Sequence, residues 1–208
     1  MENFRIEMEN MGENSLLVKV TEEISEEVNI LITEIDEEIN KMNLKGIIET
    51  VPAYTTILII YDPLKIRVGE IEKKIVELYR KYKKTAFAKR KILKTIEIPV
   101  LYGNNYGPDL EYIAKSNRIT VEEAIRLHSK ETYRVYMIGF IPGFPYMGKV
   151  PEKIAIPRLR EPRLKVEAGS VGIAGRQTGI YPFESPGGWR IIGRTPIELF
   201  NADNDPPT

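Results

Sequence analysis

Four clusters of glycine and proline between Gly139 and Thr195 constrain this chain more than any other feature. They are Gly139-Phe-Ile-Pro-Gly-Phe-Pro-Tyr-Met-Gly148, Pro157-Arg-Leu-Arg-Glu-Pro-Arg163, Gly169-Ser-Val-Gly-Ile-Ala-Gly175 and Ser185-Pro-Gly-Gly-Trp-Arg190. Proline fixes φ and lacks a backbone donor, and glycine admits positive φ, so long helices are excluded here. The expected result is a series of short strands separated by turns. Aromatic and arginine side chains are interleaved with these turns, which makes the region a place to look for a ligand or partner surface.

Elsewhere the chain is an ordinary globular sequence. Its 208 residues are 42% hydrophobic, enough for one generous core or two small ones. No apolar run approaches the roughly 20 residues of a membrane span, and the acidic, polar N-terminus has no cleavable signal, so a cytoplasmic protein with no membrane partner is expected. The absence of cysteine excludes disulfides, thiolate nucleophiles and Cys-rich zinc sites, and a single histidine excludes a His-cluster metal site. Asp and Glu are abundant, but no spacing marks a carboxylate pair, so no metal ligands are expected.

Charge is polarised within the first half. Residues 1–45 carry 12 acidic and 4 basic side chains, whereas residues 46–94 carry 5 and 12. The basic run from Tyr79 to Lys94 reads as a solvated helix end running into a linker rather than as a nucleic-acid contact. Before it, Phe4–Met8 and Ser15–Val20 alternate as a hairpin, and Gly46–Val51 and Thr55–Tyr61 as a second strand pair. Ser25 caps a helix with Val28, Leu31, Ile32, Ile35, Ile39 and Met42 on one face, and Val68, Ile71, Ile75, Leu78, Tyr79 and Tyr82 line another. The expectation for residues 1–90 is an α+β sandwich of order ββαββα.

Residues 91–208 read differently. Ile96–Tyr102 is an expected strand, Asp109–Ser116 a short helix, and Thr120-Val-Glu-Glu123 a capping box opening a second helix that ends near His128. Tyr133–Phe140, Ser170–Ala174, Arg176–Tyr181 and Trp189–Ile192 follow as strands, giving a β-rich barrel or sandwich with two short helices.

The ordered motifs from His128 and Tyr133 through Gly139–Gly148, Pro157-Arg, Pro162-Arg, Ala168-Gly-Ser-Val, Gln177-Thr-Gly-Ile-Tyr-Pro, Ser185-Pro-Gly-Gly-Trp and Ile192-Gly-Arg-Thr-Pro closely resemble the KipI family. That family includes the B subunit of 5-oxoprolinase, the first subunit of allophanate hydrolase and an inhibitor of a sporulation histidine kinase. The resemblance covers roughly residues 96–205. It implies a cyclophilin-like barrel preceded by a small α+β domain, and one further strand after the segment matching Asn201–Thr208. It also implies partners: the larger C subunit of 5-oxoprolinase, or its KipA equivalent, and a LamB-type A subunit. Together they would open 5-oxoproline to glutamate with ATP as cosubstrate and Mg2+, with no cofactor intrinsic to this chain. The alternative is a non-catalytic module that docks on a sensor histidine kinase. Prolyl isomerase activity follows only from fold analogy.

Opening a lactam with ATP makes the amide a leaving group and delivers water to the carbonyl carbon, so anion-binding groups are expected. Arg158 and Arg163, framed by prolines, rank first among arginines able to hold phosphate or carboxylate, followed by Arg176 and Arg194. The alternative for each is a loop cap or a surface pair with Glu161, Glu167 or Glu184. His128 is the one side chain that titrates near neutrality unaided, and it either performs acid/base work or caps a helix end. Gln177, Phe140, Phe144, Tyr146 and Trp189 are candidate binding residues, with core closure as their alternative. No Gly-x-Ser-x-Gly elbow surrounds Ser185, and the Gly169–Gly175 run lacks the Gly-Lys-Ser/Thr of a phosphate loop.

Overall fold

A computed structural model describes residues 5–21, 23–86 and 94–204. The chain forms two compact units, residues 1–94 and 95–208. The expected boundary at 90/91 lies outside the described residues, as does most of the basic run after Ala86.

In the first unit, alternation builds the sheet. Strands β1 (Glu7–Asn10), β2 (Ser15–Lys19), β3 (Ile47–Pro52) and β4 (Thr56–Tyr61) pair antiparallel in the order β1-β2-β4-β3. Helix α1 (Glu26–Met42) lies between β2 and β3 in the chain, and helix α2 (Val68–Ala86) follows β4. Leu16, Val18, Ile57, Ile59 and Tyr61 alternate onto the buried face of the sheet, where they meet Leu31, Ile35 and Ile39 of α1 and Ile71, Ile75 and Leu78 of α2. The Ser25 side chain accepts the Val28 N–H at 3.2 Å, and Glu26 and Glu27 fill the first turn of α1. Replacing Ser25 by alanine leaves that N–H without its cap and should cost about 1 kcal/mol of this unit's stability, read as a lower urea midpoint. An unchanged midpoint would show that the cap contributes nothing.

In the second unit, the glycine and proline clusters hold more strand than their composition announces. The elements are β5 (Leu101–Tyr102), α3 (Leu110–Ser116), α4 (Val121–Ser129), β6 (Arg134–Ile138), β7 (Pro145–Gly148), β8 (Arg163–Val166), β9 (Ser170–Ala174), β10 (Gln177–Ile180), β11 (Ser185–Gly187) and β12 (Arg190–Arg194). Strands β7 and β11 lie inside segments expected to be turns, and β8 begins at Arg163, the last residue of another. The long strand expected over Ile96–Tyr102 shrinks to two residues, and Pro99 has no N–H to give a ladder there. Thr120 does cap α4, accepting the Glu123 N–H at 3.1 Å, but the Glu123 carboxylate turns to Arg126 instead of closing the box.

The barrel expectation needs correction. Six strands pair antiparallel in the order β5-β12-β9-β10-β7-β6, and β8 pairs with β11 in a separate ribbon. Among the described residues no pairing joins β5 to β6, so the sheet is open. Its strands are two to five residues long, and the register of β12 shifts between Ile191 and Gly193 where β12 meets β9. At Gly193 a Cβ would lie 2.7 Å from the Leu101 carbonyl oxygen, so only glycine lets β5 approach.

The period of two in β12 feeds two separate cores. Ile192 joins Leu110, Ile113, Val171 and Ile173 in the core beneath α3 and α4, while Ile191 joins Phe144, Val166 and Tyr181. No helix among the described residues is long and apolar enough to cross a membrane.

Candidate functional site

The anticipated aromatic residues do come together. Phe144 is fully buried, and its ring meets Phe140 at 5.8 Å, Tyr146 at 4.9 Å, Tyr181 at 5.1 Å and Trp189 at 5.4 Å between centroids, all edge to face. Phe144 therefore serves as the hub of this cluster and closes the core. Tyr146 and Trp189 are half-buried and lie 5.7 Å apart, and Phe140 is 60% exposed. Phe140 also has φ 65°, a left-handed conformation that a bulky side chain seldom adopts, and an aromatic held there in solvent is a mark of functional surfaces.

The loop 157–163 borders this face. Leu159 N–H donates to the Gly188 carbonyl at 2.7 Å, and a Cβ on Gly188 would lie 3.7 Å from Pro162. Burial pushes the Tyr146 and Tyr181 phenols upward, the positive charge of Arg158 acts against burial on both, and the Trp189 backbone also bonds the Tyr181 oxygen. Arg158 itself is exposed and makes no side-chain hydrogen bond or ion pair among the described residues. It is a free cation beside an aromatic shelf, which is an arrangement suited to an anionic, partly apolar ligand.

Arg163 is used otherwise. Its Nη2 donates to both oxygens of Asp109, at 2.9 and 2.8 Å, and its Nη1 donates to the Trp189 carbonyl at 3.3 Å. Asp109 is buried and also accepts the Ile191 N–H at 2.6 Å, so it ties the start of α3 to β8 and β12. Arg163 is thus committed to the fold. Arg194 is likewise engaged, through Nε to the Ala168 carbonyl at 2.8 Å and through Nη1 to Glu167. Arg194 lines a shallow pocket of about 510 Å³ with Leu101, Tyr106, Pro182, Thr195 and Glu198, but its guanidinium is already bonded there. Arg176 is exposed at the β9–β10 turn, and Gln177 opens β10 opposite Gly148 and Ala174. Neither belongs to the aromatic cluster.

His128 sits at the centre of a buried polar chain. Its Nε2 is 3.0 Å from Thr178 Oγ1 and its Nδ1 is 2.8 Å from the Tyr102 hydroxyl. Thr178 gives its own proton to the Gly172 carbonyl, at 3.0 Å, so it accepts from His128. The ring is therefore the Nε2–H tautomer, and Tyr102 O–H donates to Nδ1. Tyr133 O–H donates to the His128 carbonyl at 3.0 Å. Burial lowers the His128 pKa to about 4 and pushes Tyr102 up to about 12. Both ring nitrogens are taken by protein groups, so the geometry gives His128 a positioning role linking α4, β5 and β10. Neither alternative read from the sequence, acid/base work or a ring capping carbonyls, describes that role.

No group of three or more His, Cys, Asp or Glu side chains able to hold a metal ion occurs among the described residues. A model of the carboxyltransferase domain, subdomain C and D, matches residues 6–208. The chain belongs to this family. It is 39% identical over 218 residues to the B subunit of 5-oxoprolinase from Bacillus subtilis, covering 98% of this chain and 88% of that protein. Among solved structures, PH0987 from Pyrococcus horikoshii is 47% identical with a TM-score of 0.54, covering 97% of this chain and 91% of that one. TTHA0988 is 32% identical with a TM-score of 0.79, covering 93% of this chain but 37% of that chain, so this chain spans little more than a third of that polypeptide. The motifs from His128 to Pro196 all fall within the span that matches the family.

Asp109, Tyr112, Arg190, Tyr102 and Thr178 carry structure that sequence reasoning did not assign to them. Asp109 was visible only as a helix start, because Arg163 and Ile191 lie 54 and 82 residues further along the chain.

Proposed function

We propose that this chain is the B subunit of an ATP-dependent 5-oxoprolinase, working with the A and C subunits to open 5-oxoproline to glutamate. The observation that carries this reading is the near full-length similarity to the B subunit of a 5-oxoprolinase. The reaction breaks the lactam C–N bond, adds the oxygen of water to the carbonyl carbon, leaves a proton on nitrogen and consumes ATP. In this reading the chain supplies half of a composite site. Arg158 offers a free guanidinium to a carboxylate or phosphate, and Phe140, Tyr146 and Trp189 form an apolar rim that excludes water once the partner closes over it. His128 holds Tyr102 and Thr178 in place and moves no proton of the substrate.

Reconstitution of the three-subunit complex, with glutamate formation from 5-oxoproline measured with and without ATP, tests the assignment. ATP-dependent glutamate formation is the expected result, and an assembled but inactive complex would overturn it. In the active complex, Arg158→Ala should lower turnover by about tenfold to a hundredfold, the value of one charge-assisted hydrogen bond, while assembly stays intact. Allophanate offered in place of 5-oxoproline should give no product.

A further inference from the structure

We propose that Arg190 anchors a second binding site, on the side of β12 opposite the aromatic face, which takes the carboxylate of a small monoanionic ligand. Alternation along β12 separates the two places. Trp189 and Ile191 pack with Phe144, whereas Arg190 reaches the ring of Tyr112 on α3 and Ile192 joins the core beneath that helix.

The Arg190 side chain is only 18% exposed, yet it makes no hydrogen bond among the described residues. Its Nε is shut off from solvent with no acceptor. The carboxylate it pairs with, Asp109, lies 3.7 Å from Nη1, beyond hydrogen-bond reach, and already accepts from Arg163 and Ile191. By contrast, Arg163, Arg194 and Arg126 each donate to at least two acceptors. A guanidinium carries five donors, and buried polar groups are as a rule bonded, so a mostly buried arginine with no bond is a group prepared for an acceptor that the chain does not supply.

Charge and shape define that acceptor. Two guanidiniums share one carboxylate, which leaves the cluster with one surplus positive charge in a half-buried setting. A monocarboxylate neutralises it, whereas a phosphate dianion overshoots. The guanidinium lies 4.0 Å from the centroid of the Tyr112 ring, which holds it in one place before the ligand arrives, and a planar carboxylate matches the paired donors of Nη1 and Nη2, which are not sealed as Nε is. The recessed position of Arg190 and Asp109 favours a small ligand over a protein side chain. The existence of the site rests on this geometry. Only the choice of 5-oxoproline as its natural carboxylate rests on the 5-oxoprolinase reading above.

Titrating the isotope-labelled full chain with 5-oxoproline, acetate and inorganic phosphate at constant ionic strength tests the site through the amide signals of Tyr112, Arg190 and Ile191. Saturable shifts with 5-oxoproline and acetate are expected. Arg190→Lys keeps the charge but loses the planar fork, and should weaken binding by about tenfold while the melting temperature stays near that of the parent. Tyr112→Leu, which removes the ring beneath the guanidinium, should weaken it as well, and it carries the test if the arginine variant does not fold. Unchanged affinity in the folded variants, tighter binding of phosphate than of either carboxylate, or shifts no larger than those produced by chloride would each overturn the site. Carboxylate binding together with an inactive reconstituted complex would remove the 5-oxoprolinase reading and leave this site standing. An active complex with no carboxylate binding at Arg190 would do the reverse.

Discussion

Replacing Asp109 by alanine should destabilise the second unit by about 3–5 kcal/mol, toward the lower end because Arg163 keeps some contact with water. Three elements lose their common acceptor at once. Arg163 loses a two-point ion pair at 2.9 and 2.8 Å, the buried Ile191 N–H loses a partner at 2.6 Å, and Arg190 loses its only neighbouring negative charge among the described residues. Breaking one partner of such a pair costs more than the pair contributes, because the surviving charge stays where water solvates it poorly. Asp109→Asn keeps a carbonyl oxygen for the Ile191 N–H and should fall between the alanine variant and the parent. Urea unfolding followed by the fluorescence of Trp189, the single tryptophan, reports on this unit directly. An alanine variant within about 1 kcal/mol of the parent would show that the two guanidiniums are well solvated without Asp109.

Acid should weaken the same unit through His128, with a sign fixed by burial. The folded pKa is lowered to about 4 from the ordinary 6.5, so on acidification the unfolded chain takes up the proton first. The contribution of this group is complete above about pH 6.5, declines as pH falls through the window down to about 4, and is then exhausted, for a total of about 3 kcal/mol. Protonation also adds an N–H at Nδ1, where the Tyr102 hydroxyl now donates, so that contact must reverse or break. Carboxylates titrate in the lower part of the same window, and the comparison with His128→Gln isolates the histidine. The parent should lose more stability than the variant between pH 6.5 and 4. Equal losses would mean that the ring is hydrated and titrates normally in the folded chain.

Several elements follow from local chemistry and were legible in the sequence. The helices beginning after Ser25 and Thr120 have apolar faces repeating every three or four residues and side chains that can take the first free N–H groups, and both caps form at 3.2 and 3.1 Å. The sequence marked Phe140, Phe144, Tyr146 and Trp189 as residues that either bind a ligand or close the core, and their gathering around Phe144 was not legible in it. Strands β7 and β11 were not legible either, since a three- or four-residue strand rich in glycine and proline has no alternation to read, and β8, Arg-Leu-Lys-Val, alternates over too few residues to be told from a loop without its partner. The arginines divide for the same reason. Nothing local distinguishes Arg158, which is free, from Arg163, which is locked to Asp109.

The sequence by itself determined where the capped helices begin, which chemistries cysteine and histidine content exclude, and which family its ordered motifs resemble. These follow from side-chain sterics, hydrogen bonding within a few residues, and residue identity. Tertiary structure decided what each polar group does. His128 became a buried connector because Thr178, 50 residues away, has already given its proton to Gly172. Arg190 was left without an acceptor because the Asp109 carboxylate, held by Arg163 and Ile191, stands 3.7 Å from its Nη1. A donor or acceptor can be used only so many times, and which partner uses it is settled when distant segments meet.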